Sequence, residues 1–431
     1  MAESSRSGRR TIMVVSIPAS LSGGGGLRAF RSIMAYTKMF NTHLFLPYTF
    51  TRYFETPGSS IIFSELKKLV AEGVHVAGYS KLNDFVQDFD RLIKVRLFAN
   101  IMPAVAPKVA VSFKFIREVN PEAVVSLHEV NDCLYVASTL SEVLGCRSLA
   151  LLQLPPVYGS KERAKKIYDA YMLWWRTLLD YEVKRTMALL RRKFFDTLFN
   201  RQSMRLLKRF TKIVAVSKSI PIEMGSEWIE RVVSLDPGVS VNEEDMKLFT
   251  LLRGHVEKGD YVVFGGRPDA GKGLIEALVA FKHVLRQRPN LKFVCTGNIS
   301  EVVLFRIRKF CRRLGIEDKV TFTGFIARDE RLKTVAKARL MLYPSHIDAF
   351  PYAVLESLHL GTPVVAYRIP AIEAYYDGLS GVKLVEEGDV EALTVEAINT
   401  LNGRCETESP QINSWESILD EELQLVEGLI A

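Results

Sequence analysis

Two segments hold residue types able to act on a charged substrate. In Phe264 to Gly273, FGGRPDAGKG, the cations Arg267 and Lys272 stand inside a glycine-rich turn. Glycine lets main-chain N–H groups approach an oxyanion closely, and a helix expected from about Leu274 adds the free N–H groups of its first turn. Arg267 and Lys272 can then converge on a diphosphate, with Gly266 giving the backbone room. The run nearly fits a nucleoside-triphosphate loop, with Gly266, Gly271 and Lys272 correctly spaced, but Gly273 stands where a magnesium-binding Ser or Thr is needed. Diphosphate binding fits this segment better than triphosphate hydrolysis.

The second segment is Pro344 to Pro363, PSHIDAFPYAVLESLHLGTP, with Asp348 and Glu356 eight residues apart. Pro351 lies between them, so Asp348 is expected on a loop and Glu356 inside a helix starting near Ala353. An ionised carboxylate there can accept from two neighbouring hydroxyls, as on a ribose, although a salt-bridged surface pair is the commoner use of such spacing. His128 follows an apolar run, at the strand end where open α/β sheets bind ligands. Asp88-Phe89-Asp90 has the look of a metal-binding pair but falls in a mixed segment and reads as surface charge. No cluster has convincing metal-ligand spacing, and no metal or other cofactor is expected.

These residues need rigid elements to position them, and the pattern of apolar runs supplies these. Thr11 to Ile17 reads as a buried strand, Ser22 to Gly26 as a glycine loop and Leu27 to Phe40 as a helix. Further strand-length runs occur at Val74 to Tyr79, Ala123 to Leu127, Arg147 to Leu152, Lys212 to Val216 and Val232 to Leu235, separated by helix-length segments. The alternation restarts at Tyr261 to Phe264 and continues through Leu291 to Thr296, Val320 to Thr323, Leu340 to Tyr343, Pro363 to Ala366 and Val382 to Val385. Strands alternating with helices imply parallel sheets. The polar stretch Asp236 to Asp260, with Pro237, Gly238, Gly254 and Gly259, reads as the linker.

The expected organisation is therefore α/β, with two doubly wound, Rossmann-like parallel-sheet domains. Residues 1–240 form the N-terminal domain with a basic helical segment at 160–210, and 241–410 form the C-terminal domain. Residues 411–431 are read as a C-terminal helix that can cross back to the N-terminal domain. A length of 431 residues with 48% hydrophobic composition suits two domains of the usual ~100–200 residues. The polar, basic start and the lack of a run of roughly 18 apolar residues argue against a signal peptide and a membrane-spanning helix. Five scattered cysteines, Cys133, Cys146, Cys295, Cys311 and Cys405, argue against a disulfide framework or zinc site and fit a reducing cytoplasm.

The net charge of +8 is concentrated in one stretch: Lys161 to Phe210 holds 14 Lys and Arg against five Asp and Glu. With Trp174, Trp175, Phe194, Phe195 and Phe199 interleaved, it reads either as ordinary surface helices or as a face for an anionic membrane, where each Lys or Arg contributes about 1 kcal/mol. No nucleic-acid motif accompanies it, and no nucleic-acid partner is expected.

Together the two chemical segments resemble retaining glycosyltransferases of family 4, which have the GT-B fold. The resemblance rests on Gly266-Arg267 with Lys272-Gly273, Gly324-Phe325, Pro344-Ser345, Asp348, Glu356 and Gly361-Thr362-Pro363, and covers Tyr261 to Leu401 well. In the N-terminal half it runs through Gly25-Gly26 with Arg28, His128, Ser217 and Pro237-Gly238-Val239. It implies a nucleotide-sugar donor, with Arg267 and Lys272 on its diphosphate, Glu356 on the ribose and Asp348 at the transferred sugar. His128 would lie near the reacting sugar. Gly25 and Gly26 would face donor phosphate and acceptor, and the main chain of Phe350, Pro351 and Tyr352 the donor. Asp348 stands for a usual glutamate, Ser240 for a common aspartate, and Pro351-Tyr352 where glycine is frequent; these departures bear on the donor sugar.

The implied activity is metal-independent transfer of a hexose-like sugar with retained configuration. The acceptor suggested by the basic stretch is a glycan, lipid-linked or otherwise membrane-bound, with the protein peripheral on the cytoplasmic face of a membrane. Other readings are a catalytically silent GT-B subunit that positions a partner, or another GT-B enzyme such as a nucleotide-sugar epimerase or glycan phosphorylase.

Overall fold

The apolar runs become parallel strands because a strand covered by helices on both faces must be apolar on both. The computed structural model describes residues 8–16, 24–46, 59–76, 119–178, 201–403 and 405–431. The strands are β1 (Thr11–Val15), β2 (Asn41–Phe45), β3 (His75–Val76), β4 (Ala123–Ser126), β5 (Arg147–Leu152), β6 (Lys212–Ala215) and β7 (Val232–Ser234), then β8 (Tyr261–Phe264), β9 (Lys292–Cys295), β10 (Val320–Phe322), β11 (Leu340–Tyr343), β12 (Val364–Tyr367) and β13 (Val382–Val385). The first sheet has order β3-β2-β1-β4-β5-β6-β7 and the second β10-β9-β8-β11-β12-β13. Every pairing is parallel. The core is densest at the sheet centres, where β4, β11 and β12 are buried along their whole length.

Each strand order reverses once, between β1 and β4 in the first sheet and between β8 and β11 in the second. At such a reversal the loops leaving the two central strands run to opposite sides, opening a crevice beyond their carboxyl ends. His128 follows β4, Lys272 follows β8 and Asp348 follows β11. Each lies at a reversal point.

The chain divides into two compact units, Met1–Val157 with Asp196–Val239 and Asn413–Ala431, and Tyr158–Phe195 with Ser240–Ile412. The basic segment was expected in the N-terminal domain, but Tyr158–Phe195 groups with the second unit. The reason lies in its described part, the helix Lys161–Leu178. Buried Arg163 pairs with Glu387 at 2.5 Å, and Arg313 Nη2 donates to the Thr177 carbonyl at 3.1 Å. Phe194, Phe195 and Phe199 lie outside the described residues, as does Asp88-Phe89-Asp90.

The C-terminal helix, Trp415–Ile430, packs on the first unit. Glu422 accepts from Arg28 Nη2 and Tyr36 Oη, and the Arg31 guanidinium lies 4.6 Å from the centre of the Trp415 ring. Arg28 Nε also donates to the Gly238 carbonyl, so one buried guanidinium ties three distant stretches of chain together.

Two local readings change. Gly25 and Gly26 lie in the first turn of the helix Gly24–Met39 rather than in a loop; residues 17–23 are outside those described. The polar stretch read as linker contains the helix Glu243–Leu252, which buries Asp245, Phe249 and Leu252. The strand β2 went unpredicted because Asn41 and His43 interrupt its apolar pattern.

Candidate functional site

The second unit builds its site from two loops pressed together backbone to backbone. β8 ends at Phe264, and the chain turns through Gly265 and Gly266, the latter at φ 104°, a conformation open to glycine. Asp269 Oδ1 accepts from Lys272 N at 3.1 Å and closes the short turn Ala270–Lys272. Gly273 follows at φ 72°, and a Cβ there would lie 2.0 Å from the Pro344 carbonyl oxygen. The close approach lets His346 N and Ile347 N donate to the Gly271 carbonyl at 2.8 and 3.2 Å. The crossing therefore fixes Lys272 against the segment that carries Asp348.

Lys272 Nζ donates to Asp348 Oδ2 at 2.5 Å and to the Ile347 carbonyl at 2.8 Å, with Tyr343 Oη at 3.4 Å. Tyr343 Oη donates to the same Asp348 oxygen, and Ala349 N donates to Oδ1 at 3.2 Å. The pair is largely withdrawn from solvent, with side-chain exposures of 15% for Lys272 and 12% for Asp348. Burial, and then the neighbouring Asp348 charge, push the Tyr343 phenol well above its ordinary range, which keeps it a donor. A cation and an anion thus lie paired at the reversal point. That arrangement can neutralise a developing oxyanion while the carboxylate accepts from a hydroxyl.

Arg267 stands apart. Its side chain is 70% exposed and faces Asp269 at 3.6 Å, so the structure does not bring it to Lys272. Phe350 packs edge-on against Tyr352 and Tyr375, with ring centres 5.7 and 4.9 Å apart. Tyr376 Oη donates to the Pro351 carbonyl at 3.2 Å, and Tyr352 Oη to the Ser240 carbonyl at 3.0 Å. The Phe350 to Tyr352 main chain is thereby held at the start of the helix Tyr352–His359.

Glu356 lies in that helix as expected, 2% exposed. Its carboxylate already has partners. Arg331 grips it with two bonds, Nη1 to Oε2 at 2.6 Å and Nη2 to Oε1 at 2.8 Å, and Arg328 Nη2 adds a third to Oε1 at 3.0 Å. Arg328 Nε also bonds Asp245 at 2.8 Å. Burial pushes the Glu356 carboxyl upward, but the two guanidiniums outweigh it and hold its pKa below the ordinary carboxylate range. The sequence reading missed both arginines. The only signal was their i, i+3 spacing at the start of the helix Arg328–Lys337, which places them on one face.

In the first unit, His128 is buried where β4 ends. Gln153, just beyond β5, donates from Nε2 to the Leu127 carbonyl at 2.7 Å and faces His128 Nδ1 at 3.4 Å. Nδ1 is then the acceptor, and Nε2 carries the proton toward Ser16 Oγ at 3.3 Å. The Gln153 carbonyl oxygen would lie 2.9 Å from a Cβ on Gly25, so only glycine fits this helix start without a shift of the amide. The structure thus gathers Gly25, His128 and two unpredicted residues, Ser16 and Gln153, at the reversal point of the first sheet.

Among the described residues, no group of three or more His, Cys, Asp or Glu side chains is arranged to hold a metal ion. No helix among them is long and apolar enough to cross a membrane.

Residues 253–410 match the family described as Glycosyl transferases group 1. Among curated proteins, a D-inositol 3-phosphate glycosyltransferase from Paenarthrobacter aurescens is 26% identical over 192 residues, 41% of this chain and 46% of that protein. An alpha-monoglucosyldiacylglycerol synthase from Streptococcus pneumoniae is 30% identical over 128 residues, 30% of this chain and 29% of that protein. The chain therefore spans less than half the length of these relatives. Among solved structures, the Anabaena protein HepE in complex with UDP and glucose superposes with a TM-score of 0.58 at 16% identity, over 97% of this chain and 100% of that one. The chain shares its GT-B fold of two Rossmann-like units.

Proposed function

From the match of residues 253–410 to Glycosyl transferases group 1, we propose that this chain transfers a sugar from a nucleotide-sugar donor to an acceptor hydroxyl, with the anomeric configuration retained. The observation that carries this reading is the Lys272–Asp348 pair, set by crossing loops at the reversal point of the second sheet. In the reaction the bond from the anomeric carbon to the diphosphate oxygen breaks and one to the acceptor oxygen forms. The nucleoside diphosphate departs with its new negative charge, and the hydroxyl proton is released. Lys272 supplies a cation for that charge. Arg267, on the same loop, swings in from solvent to supply a second, so the charge is met by side chains rather than by a metal ion. Asp348 accepts from a hydroxyl of the transferred sugar.

In the second unit, Gly266 and the main chain of Phe350 to Tyr352 serve the donor; in the first, Gly25 and Gly26 serve the donor phosphate and the acceptor, and His128 the reacting sugar. Glu356 is the ribose carboxylate. A carboxylate offers about four acceptor positions, and three are taken by Arg331 and Arg328, so one hydroxyl fits as it stands and a second requires Arg328 to release. The HepE complex supports uridine diphosphate as the nucleotide. The glucosyldiacylglycerol synthase and the basic stretch support a lipid-linked or membrane-bound acceptor at the cytoplasmic face.

A thermal-shift screen against UDP, GDP, ADP and their sugar conjugates tests the donor site, because a bound ligand raises stability by mass action. The expected result is a shift with one nucleotide, lost in Arg331→Ala and Lys272→Met. No shift with any nucleotide at millimolar concentration would refute it. The guanidinium grip on Glu356 favours one second reading, a silent subunit whose ribose site is already filled by its own side chains, and that same negative outcome supports it.

A further inference from the structure

Behind the loop that carries Asp348 lies a second cluster of charged side chains, all buried. His346 is 3% exposed, Glu276 5%, Glu387 8% and Arg163 9%. They come from four elements: Glu276 from the helix Leu274–Val284, His346 from the loop after β11, Glu387 from the turn after β13, and Arg163 from the helix Lys161–Leu178. His346 Nδ1 faces Glu387 Oε1 at 2.7 Å, and Nε2 faces Glu276 Oε1 at 3.0 Å. Ionised carboxylates only accept, so both ring nitrogens must donate, and the ring is an imidazolium. Arg163 Nη1 bonds the same Glu387 oxygen at 2.5 Å, while its Nη2 donates to the His346 carbonyl. Two cations face two anions, and the buried charge closes to zero.

Such a cluster is a poor device for stability alone. Withdrawing each ion from water costs several kcal/mol, and well-packed apolar side chains of similar volume do as well or better. Its position suggests another use. His346 stands two residues before Asp348, and its N–H bonds the carbonyl of Gly271, next to Lys272. On the far side, the Tyr171 hydroxyl of the helix Lys161–Leu178 would lie 3.4 Å from a Cβ on Gly271. The cluster thus grips both loops whose crossing makes the Lys272–Asp348 pair, and it recruits a helix from far earlier in the chain to do so.

We propose that His346, held as an imidazolium between Glu276 and Glu387 and braced by Arg163, is a positioning residue that sets the Lys272–Asp348 pair for donor binding. The role rests on the donor reading above. It makes that binding dependent on one proton. Burial pulls the His346 pKa down, but the hydrogen bonds and charges of Glu276 and Glu387 overcome this and raise it above the ordinary value. A raised folded pKa means the stabilisation is full below about pH 6.5 and is lost as pH rises through the folded value. The other groups around the ring are Arg163, always charged, and the Tyr367 ring, edge-on at 5.3 Å with its phenol pushed far up by burial and by Glu276. Of the groups packed around the ring, His346 is therefore the one expected to lose a proton on the alkaline side.

The test measures UDP affinity by calorimetry from pH 6 to pH 9 in the full chain, beside the ring titration of His346 followed by NMR. Wild type is expected to lose affinity about tenfold across the step at which the ring titrates. His346→Gln should bind weakly with no such step. Should that variant fold poorly, Glu276→Gln, which removes one of the two anions, should move the affinity step and the ring titration together to lower pH. Affinity that is flat with pH, an alkaline fall that survives His346→Gln, or a ring that titrates at or below the ordinary histidine value would overturn this role while leaving the donor reading standing. If UDP and the other nucleotides fail to bind at every pH, both fall together.

Discussion

Replacing Lys272 by Met keeps the aliphatic stem and removes the ammonium, which separates the two tasks assigned to that group. Its three contacts are Asp348 Oδ2 at 2.5 Å, the Ile347 carbonyl at 2.8 Å and Tyr343 Oη at 3.4 Å. Removing one partner of a fully buried ion pair costs about 3–5 kcal/mol. Here Asp348 keeps its bonds from Tyr343 Oη and Ala349 N and is 12% exposed. The stability loss should then be smaller, about 2–3 kcal/mol by urea unfolding. Asp348→Asn leaves Lys272 its carbonyl partner and should cost about 1–2 kcal/mol. The double variant should lose less than the sum of the two, with a coupling of about 1–3 kcal/mol. Sugar transfer, followed by release of the nucleoside diphosphate, should fall about 100- to 1000-fold in Lys272→Met under conditions where the protein stays folded. A variant that unfolds at the wild-type urea concentration and keeps near-normal turnover would refute both the pair and its role.

Two further perturbations probe other parts of the chain. Vesicle flotation should show binding to anionic liposomes at low salt that weakens as salt screens the basic stretch, with Leu173 and Trp175 of its helix exposed to enter the interface; indifference to anionic vesicles at low salt would remove the membrane from the proposal. In the first unit, His43 stacks on His75 with ring centres 4.7 Å apart, and burial followed by the His75 charge lowers its pKa to about 4. The unfolded chain takes up that proton near pH 6.5 and the folded one only near pH 4, so stability should fall over that window by at most about 3 kcal/mol. His43→Phe should flatten the dependence, and equal slopes of urea midpoint against pH in the two proteins would rule out this histidine as the source.

Most strands were legible because a parallel sheet buries both faces, which leaves short, continuously apolar runs such as Leu340–Tyr343 and Val364–Tyr367. The loops that follow β8 and β11 could be named for the same local reason. Gly266 and Gly273 take positive φ, and the Gly273 approach to Pro344 leaves no space for a side chain. Such requirements act within a few residues and leave a mark on the residue type.

The partners of charged groups left no comparable mark. Nothing near Glu356 in the chain announces Arg328 and Arg331, and nothing near Lys161–Leu178 announces that Arg163 will reach Glu387 and the His346 carbonyl across the second unit. The basic charge of that helix pointed outward to a partner, whereas one of its cations is spent inside the fold. Likewise Glu422 on the C-terminal helix meets Arg28 only after the chain has closed on itself. Composition and short-range spacing determined most of the strands and the loops that hold Lys272 and Asp348, because backbone sterics and apolar burial are local demands; the strand order and its reversal points came from the fold. Only the tertiary structure decided which cation each buried carboxylate keeps, because the cost of an unpaired charge is settled by whatever the completed fold places within about 3 Å of it.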